Sequence, residues 1–183
     1  MYFEKAGPHN TDMALQTAFD EAARRGIGHV VVASTWGETG VKAARLAKSS
    51  GVSLTVVTHN TGFKTPGVQE FTPEARQEAE SLGARIFTGP MPTRTLGRAI
   101  KNKTGYSPED IACAAWRMMG EGTKVCVEIA SMACDAGLVP PGDIIAVAGT
   151  GKGADTVLLL SAAPSNETFG IKIREVIAKP MDW

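Results

Sequence analysis

His29-Val30-Val31-Val32-Ala33-Ser34-Thr35-Trp36-Gly37-Glu38-Thr39-Gly40 is the run in which the architecture becomes readable. Three consecutive valines followed by small residues describe a strand buried on both faces, as parallel strands covered by helices are. The hydroxyls and glycines after it lead into a helix predicted from about Thr39 to Ser49, which Gly51 stops. Upstream, Asn10 or Thr11 is placed to cap a helix whose Leu15, Ala18, Phe19 and Ala22 recur at helical spacing and which ends at Gly26.

Downstream the alternation continues. Leu54 to Thr58 reads as a second strand, and a long polar loop follows. Thr72 caps a charged helix that begins with Pro73 and ends at Gly83, and residues 84–87 form a third strand. A loop-rich stretch then runs to Tyr106. One helix starts at Ser107-Pro108 and breaks near Gly120, and another runs from about Gly122 to Asp135. In the latter, Val125, Ile129, Met132, Ala133 and Ala136 make an apolar stripe, with Lys124, Glu128 and Asp135 on another face. Residues 143–148 form a fourth buried strand. The apolar run from Thr156 begins too soon for a helical crossover, so antiparallel pairing with the fourth strand is expected. A last strand falls within 171–180. The expectation is one domain over residues 1–183: an α/β three-layer sandwich with a mixed, mostly parallel sheet.

The 183 residues are 43% hydrophobic and 21% charged, average for a globular domain. Nineteen basic residues balance nineteen acidic ones, so no electrostatic attraction favours nucleic acid or an anionic membrane. No apolar run reaches the roughly 20 residues of a membrane span, and Met1 to Asn10 lack the features of a signal peptide, which points to the cytoplasm. Cys113, Cys126 and Cys134 form no even set and no paired motif, and read as buried thiols; His9, His29 and His59 are scattered, so no metal site is expected. A catalytic barrel of eight strand-helix units takes about 250 residues, more than this chain has.

In open parallel sheets ligands sit beyond the carboxyl ends of the strands, where the strand order reverses. Two loops there have the chemistry of an anion site. Ser34, Thr35, Trp36, Gly37, Thr39 and Gly40 surround a helix start whose amides suit a phosphate. Gly149, Thr150, Gly151, Lys152 and Gly153 follow the fourth strand and combine successive amides with one ammonium group. Ordinary turns and a helix cap account for the same residues one loop at a time. If the first and fourth strands are neighbours, both loops flank one crevice. Trp36 and Phe63 offer faces for a planar ring or cover the core from above. His59, in a polar turn, could hydrogen-bond a ligand or simply complete the turn. Lys124 and Glu128, one helical turn apart, read as a solvated surface pair, and Arg94 and Arg98, after the third strand, could reach an anion or serve as surface residues. No nucleophile-base motif can be assembled from spacing.

At these residues the chain resembles the C-terminal α/β domain of pyruvate kinase, standing without the catalytic barrel. Residues 30–47 resemble that domain's strand, phosphate loop and helix, residues 54–60 its next strand, and residues 144–155 its late strand and glycine turn. The resemblance covers most of the chain and implies that Ser34, Thr35, Gly37, Thr39, Gly151, Lys152 and Gly153 surround a phosphate. Trp36 and Glu38 stand where the family loop carries lysine and arginine, so a bisphosphorylated sugar should bind less well. A closer resemblance is to small stand-alone prokaryotic proteins with an N-terminal stretch like Phe3-Glu4-Lys5-Ala6-Gly7-Pro8-His9-Asn10-Thr11, some of which hold flavin mononucleotide (FMN). It implies FMN as the cofactor, its phosphate on the two loops.

Three readings of function follow: a binding module for a phosphorylated small molecule; an enzyme, flavin-dependent or acting on a phosphorylated metabolite with His59 or Asp155 as acid or base; and a regulatory partner of a glycolytic enzyme. Self-association into a homo-oligomer stays open. Because the barrel is missing, the protein is expected to transfer no phosphoryl group from phosphoenolpyruvate to ADP. A coupled lactate dehydrogenase assay on a clean preparation checks this, and turnover would refute it.

Overall fold

A computed structural model describes residues 1–183. The elements in chain order are β1 (Tyr2–Lys5), α1 (Thr11–Arg25), β2 (His29–Ala33), α2 (Glu38–Ser50), β3 (Ser53–Val57), α3 (Pro73–Ser81), β4 (Arg85–Phe87), α4 (Thr95–Thr104), α5 (Pro108–Arg117), α6 (Glu121–Asp135), β5 (Gly142–Ala148), β6 (Thr156–Ala162) and β7 (Lys172–Asp182). Short 3-10 turns lie at Pro8–Asn10 and Ser165–Gly170. The strands make one seven-stranded sheet in the order β1-β7-β6-β5-β2-β3-β4. Every neighbouring pair is parallel except β5 with β6 and β6 with β7, so β6 alone runs against the rest. This is the mixed, mostly parallel α/β sheet expected.

The three valines do what their run implies. Val30 and Val32 enter a core shared with α1, α2 and α3, while Val31 points through the sheet into a second core built on α6. β5 alternates likewise, with Ile145 and Val147 on the first side and Ile144, Ala146 and Ala148 on the second. Each layer therefore buries one face of the sheet, which supplies the largest favourable term in folding. α6 is buried nearly all round, because α5 and the Ser165–Gly170 turn cover the side away from the sheet. Cys113 and Cys126 are buried and Cys134 is half-buried. Desolvation raises the Cys126 thiol well above its ordinary value and pushes Cys134 to about 11, which favours the protonated thiol of both at neutral pH.

Two elements lie outside the sequence reading. β1 pairs in parallel with β7 at the sheet edge and buries only Phe3, too little to show a period. α4 falls in the stretch expected to be loop; Gly97 is its one buried residue and its apolar Leu96 and Ile100 are exposed, so no core-facing stripe marks it. The expected cap of α1 also differs. Asn10 already has helical dihedrals after the 3-10 turn, its Nδ2 donates to the Lys5 carbonyl at 2.8 Å, and Thr11 Oγ1 donates to the Pro8 carbonyl at 2.7 Å. At α3, Thr72 Oγ1 accepts the Ala75 N–H at 3.1 Å as expected.

The N-terminal segment is tied to the loop between β5 and β6. Asp155 is fully buried; its Oδ2 accepts the N–H groups of Gly7 and Thr150, each at 3.1 Å, and its Oδ1 accepts the Thr156 hydroxyl at 2.9 Å. Thr11 Oγ1 accepts the Ala154 N–H at 3.0 Å. Gly153 has φ +72 and lies so near Thr11 and Pro8 that a Cβ there would stand 2.3 Å from Thr11 Oγ1. Asp155→Ala leaves buried donors without an acceptor and is expected to destabilise the fold by about 2–3 kcal/mol. Urea unfolding followed by circular dichroism measures this, and an unchanged midpoint would show the clamp to be dispensable.

Candidate functional site: a cleft at the carboxyl edge of the sheet

From β2 the chain moves outward to β3 and β4, then returns through α6 on the opposite face to place β5 on the other side of β2. The strand order reverses between β2 and β5, and a crevice opens beyond their carboxyl ends. It is a cleft of about 490 Å³, within the range of small-molecule sites. α6 runs against the strand it feeds, so its first turns overlie this edge and Val125, Ile129 and Met132 form an apolar wall.

Both glycine-rich loops line this one cleft. At the start of α2, the N–H groups of Trp36, Gly37, Glu38 and Thr39 donate to no protein atom, whereas Gly40 N–H donates to Ser34 Oγ at 3.1 Å and Val41 N–H to the Gly37 carbonyl at 2.9 Å. In the second loop the N–H groups alternate. Those of Thr150, Lys152 and Ala154 are taken by Asp155, the Thr150 carbonyl and Thr11, and those of Gly149, Gly151 and Gly153 have no protein acceptor. Unengaged amides at a helix start and in a glycine turn suit an anion. Lys152 and Arg94 are lining cations without a carboxylate partner.

Not every residue singled out from the sequence reaches the cleft. Ser34, Thr35, Trp36, Thr39, His59, Phe63, Gly149, Gly151, Lys152 and Gly153 line it; Gly37, Gly40 and Thr150 do not. Gly37, at φ +117, packs on α3, where a Cβ would stand 2.2 Å from that of Ala75. At Gly40 a Cβ would meet Val56 Cγ1 at 2.9 Å, so the glycine lets α2 lie against β3. Asp155, considered as an acid or base, is instead the buried clamp beneath the loop.

Around His59 the polar turn is highly organised. His59 Nε2 lies 3.4 Å from Thr35 Oγ1, and Nδ1 lies 2.8 Å from Glu70 Oε2. Burial alone would raise the Glu70 carboxyl, but hydrogen bonds from His59 and Lys64 outweigh it and hold the group below its ordinary value. Phe63 stacks on the imidazole with centroids 3.8 Å apart, and the Arg94 guanidinium lies 4.0 Å from the Phe63 centroid. Phe63 therefore fixes His59 rather than offering a bare face. Trp36 has the ammonium groups of Lys64 and Lys152 each 5.1 Å from its ring centroid.

Lys124 and Glu128 correct the expectation of a solvated pair. Their side chains are 7% and 1% exposed, Lys124 Nζ meets Glu128 Oε2 at 2.5 Å, and both line the cleft. The other Glu128 oxygen accepts the backbone N–H and the hydroxyl of Thr93. The i, i+4 spacing carries no mark of what covers the helix, and here the β4–α4 connection covers it with Thr93. Arg94 likewise reaches the cleft, while Arg98 does not.

No known protein-family model matches the chain. Solved structures similar to it include a pyruvate kinase from Cryptosporidium parvum, 11% identical over 84% of this chain and 23% of that one, with a TM-score of 0.46. The Cryptosporidium parvum enzyme in complex with ADP gives the same identity and score, with 24% of its length covered. An O-ureido-L-serine synthase is 18% identical over 53% of this chain and 30% of that one, with a TM-score of 0.34. The chain thus spans about a quarter of the pyruvate kinases and under a third of the synthase. The α/β class rests on the chain's own sheet, and the chemistry on its own cleft. No helix is long and apolar enough to cross a membrane.

The buried pair has a measurable signature. Lys124→Met alone leaves the Glu128 carboxylate without its counter-charge and is expected to cost about 3 kcal/mol, whereas Lys124→Met with Glu128→Leu should recover most of that loss. Urea midpoints of the three proteins test it; additive losses would show that the charges are not coupled.

Proposed function

We propose that the cleft binds a phosphorylated small molecule, with FMN as the ligand to test first. The observation that carries this reading is the meeting of two glycine-rich loops, from β2 and β5, at one cleft lined by Lys152 and by six residues whose N–H groups are unengaged, namely Trp36, Glu38, Thr39, Gly149, Gly151 and Gly153. A phosphate there accepts charge-assisted hydrogen bonds and lies on the positive end of α2. The organic part of the ligand extends over the apolar wall of α6, and a planar ring lies against Trp36 by displacing a lysine from the indole. Glu38 at the rim opposes a second phosphate, which favours one phosphoryl group over two. The Lys124–Glu128 pair on the floor offers an ammonium and a carboxylate to polar ring edges.

Titration of FMN fluorescence with the protein is expected to show quenching and saturable binding. Lys152→Glu should weaken it at least about tenfold, the loss of one charge-assisted contact together with the repulsion introduced. Added salt should weaken binding to the wild type more than to the variant, because screening acts on the attraction that Lys152 supplies. Fluorescence that never responds to the protein would remove FMN, and failure of inorganic phosphate to protect the wild type against heat would remove the phosphate site itself.

A further inference from the structure

A hydroxyl and an imidazole of the cleft lining stand in line with a carboxylate that lies outside it. Thr35 Oγ1, His59 Nε2, His59 Nδ1 and Glu70 Oε2 follow one another at 3.4 Å and 2.8 Å across the ring; Thr35 comes from the β2–α2 connection, and His59 and Glu70 come from the two ends of the β3–α3 connection. Glu70 is 10% exposed and held by Lys64 at 3.2 Å as well. As an ionised carboxylate it accepts a hydrogen bond from Nδ1–H, which leaves the Nε2 lone pair directed at Thr35. The Phe63 stack fixes the plane of the ring. Base, orienting group and hydroxyl are the parts of an activated nucleophile, and contacts of this kind are commonly long before substrate binds.

Where Thr35 stands selects the chemistry. It lies between the end of β2 and the start of α2, immediately before the four unengaged N–H groups of Trp36 to Thr39. A group held by those amides is next to the threonine oxygen, and Lys152 faces the same cleft from the other loop. β-Branching restricts the Thr35 side chain to few rotamers, so the oxygen keeps its direction.

We propose that the protein is a phosphate-monoester hydrolase in which Thr35 is the phosphoryl acceptor and His59 the general base, a reading that rests on phosphate binding at the two loops. The Thr35 oxygen bonds to phosphorus as the bond from phosphorus to the substrate's alcohol oxygen breaks. The threonine proton passes to His59 Nε2 and from there to the departing alkoxide. Water then attacks the phosphothreonine, its proton goes to His59, and Thr35 leaves with that proton as inorganic phosphate forms. Ester and water become alcohol and phosphate, and no other reactant is consumed. The loop amides and Lys152 stabilise the charge gathering on the transferring group. Glu70 is a positioning residue, since it acts through His59.

The test uses the full chain with p-nitrophenyl phosphate. Release of p-nitrophenolate is expected, with a phosphoryl group on Thr35 found by mass spectrometry after acid quench. Thr35→Val, which preserves shape, and His59→Gln should each lower kcat by about a hundredfold or more while inorganic phosphate still protects both variants against heat. Glu70→Gln should lower kcat with KM unchanged, and Glu70→Asp should restore part of the rate; a merely structural Glu70 would change both constants or neither. If phosphate protects the wild type but the ester stays intact, or turnover survives in Thr35→Val, the hydrolase proposal is overturned and the binding site stands. If phosphate does not protect the wild type, both are overturned.

Discussion

Val30, Val31 and Val32 pair in parallel with Ile145, Ala146 and Val147, and everything at the carboxyl edge depends on that register. The two strands are more than a hundred residues apart in the chain, yet their ends must finish level for the loops after them to face each other. Alternation of side chains pins the register: a slip of one residue would send Ile144 and Ala146 into the α1–α2 core and Ile145 and Val147 toward α6. Hydrophobic burial on two faces therefore does a positional job for polar loops that contribute few apolar side chains to either core. The cleft exists because the sheet cannot shift without exposing both cores.

Much of this was readable from residues. β2 and β5 announce themselves as apolar runs because they are covered on both sides, and the short gap between β5 and β6 limits them to antiparallel pairing. What stayed hidden is what buries too little to leave a pattern. β1 contributes one core residue and holds its place through main-chain pairing with β7, a contact spanning nearly the whole chain. α4 touches chiefly α5, and its exposed Leu96 and Ile100 follow no buried face. Period measures burial, and elements that bury little are silent to it.

The site divides along the same line. Loops after β2 and β5 were legible because glycines and hydroxyls at a strand end have a specific conformational use. Glu70 and Lys124–Glu128 were not, since their meaning lies in what folds over them. Glu70 sits eleven residues beyond His59 in a polar connection, and only the turn that brings the chain back makes the two neighbours. Lys124 and Glu128 have the spacing of a solvated pair, and the chain after β4 converts it into a buried one by laying Thr93 on the carboxylate.

Beneath the glycine turn lies a tension that explains the N-terminal tether. Asp155 places a carboxylate under a loop otherwise suited to an anion, and an uncompensated charge there would oppose the ligand. Its oxygens instead accept hydrogen bonds from Gly7, Thr150 and Thr156, which stabilise the buried carboxylate and occupy it within the fold. Because Asp155 captures Thr150 N–H and Thr11 captures Ala154 N–H, the amides between them alternate between bound and free. The free ones belong to Gly149, Gly151 and Gly153, the residues that line the cleft. A loop left to itself would sample many arrangements of these groups, and ordering them on binding would cost conformational entropy. Tying the loop to Gly7 and Thr11 meets that cost during folding. The N-terminal segment, with little core of its own, thereby presets the amides at the cleft.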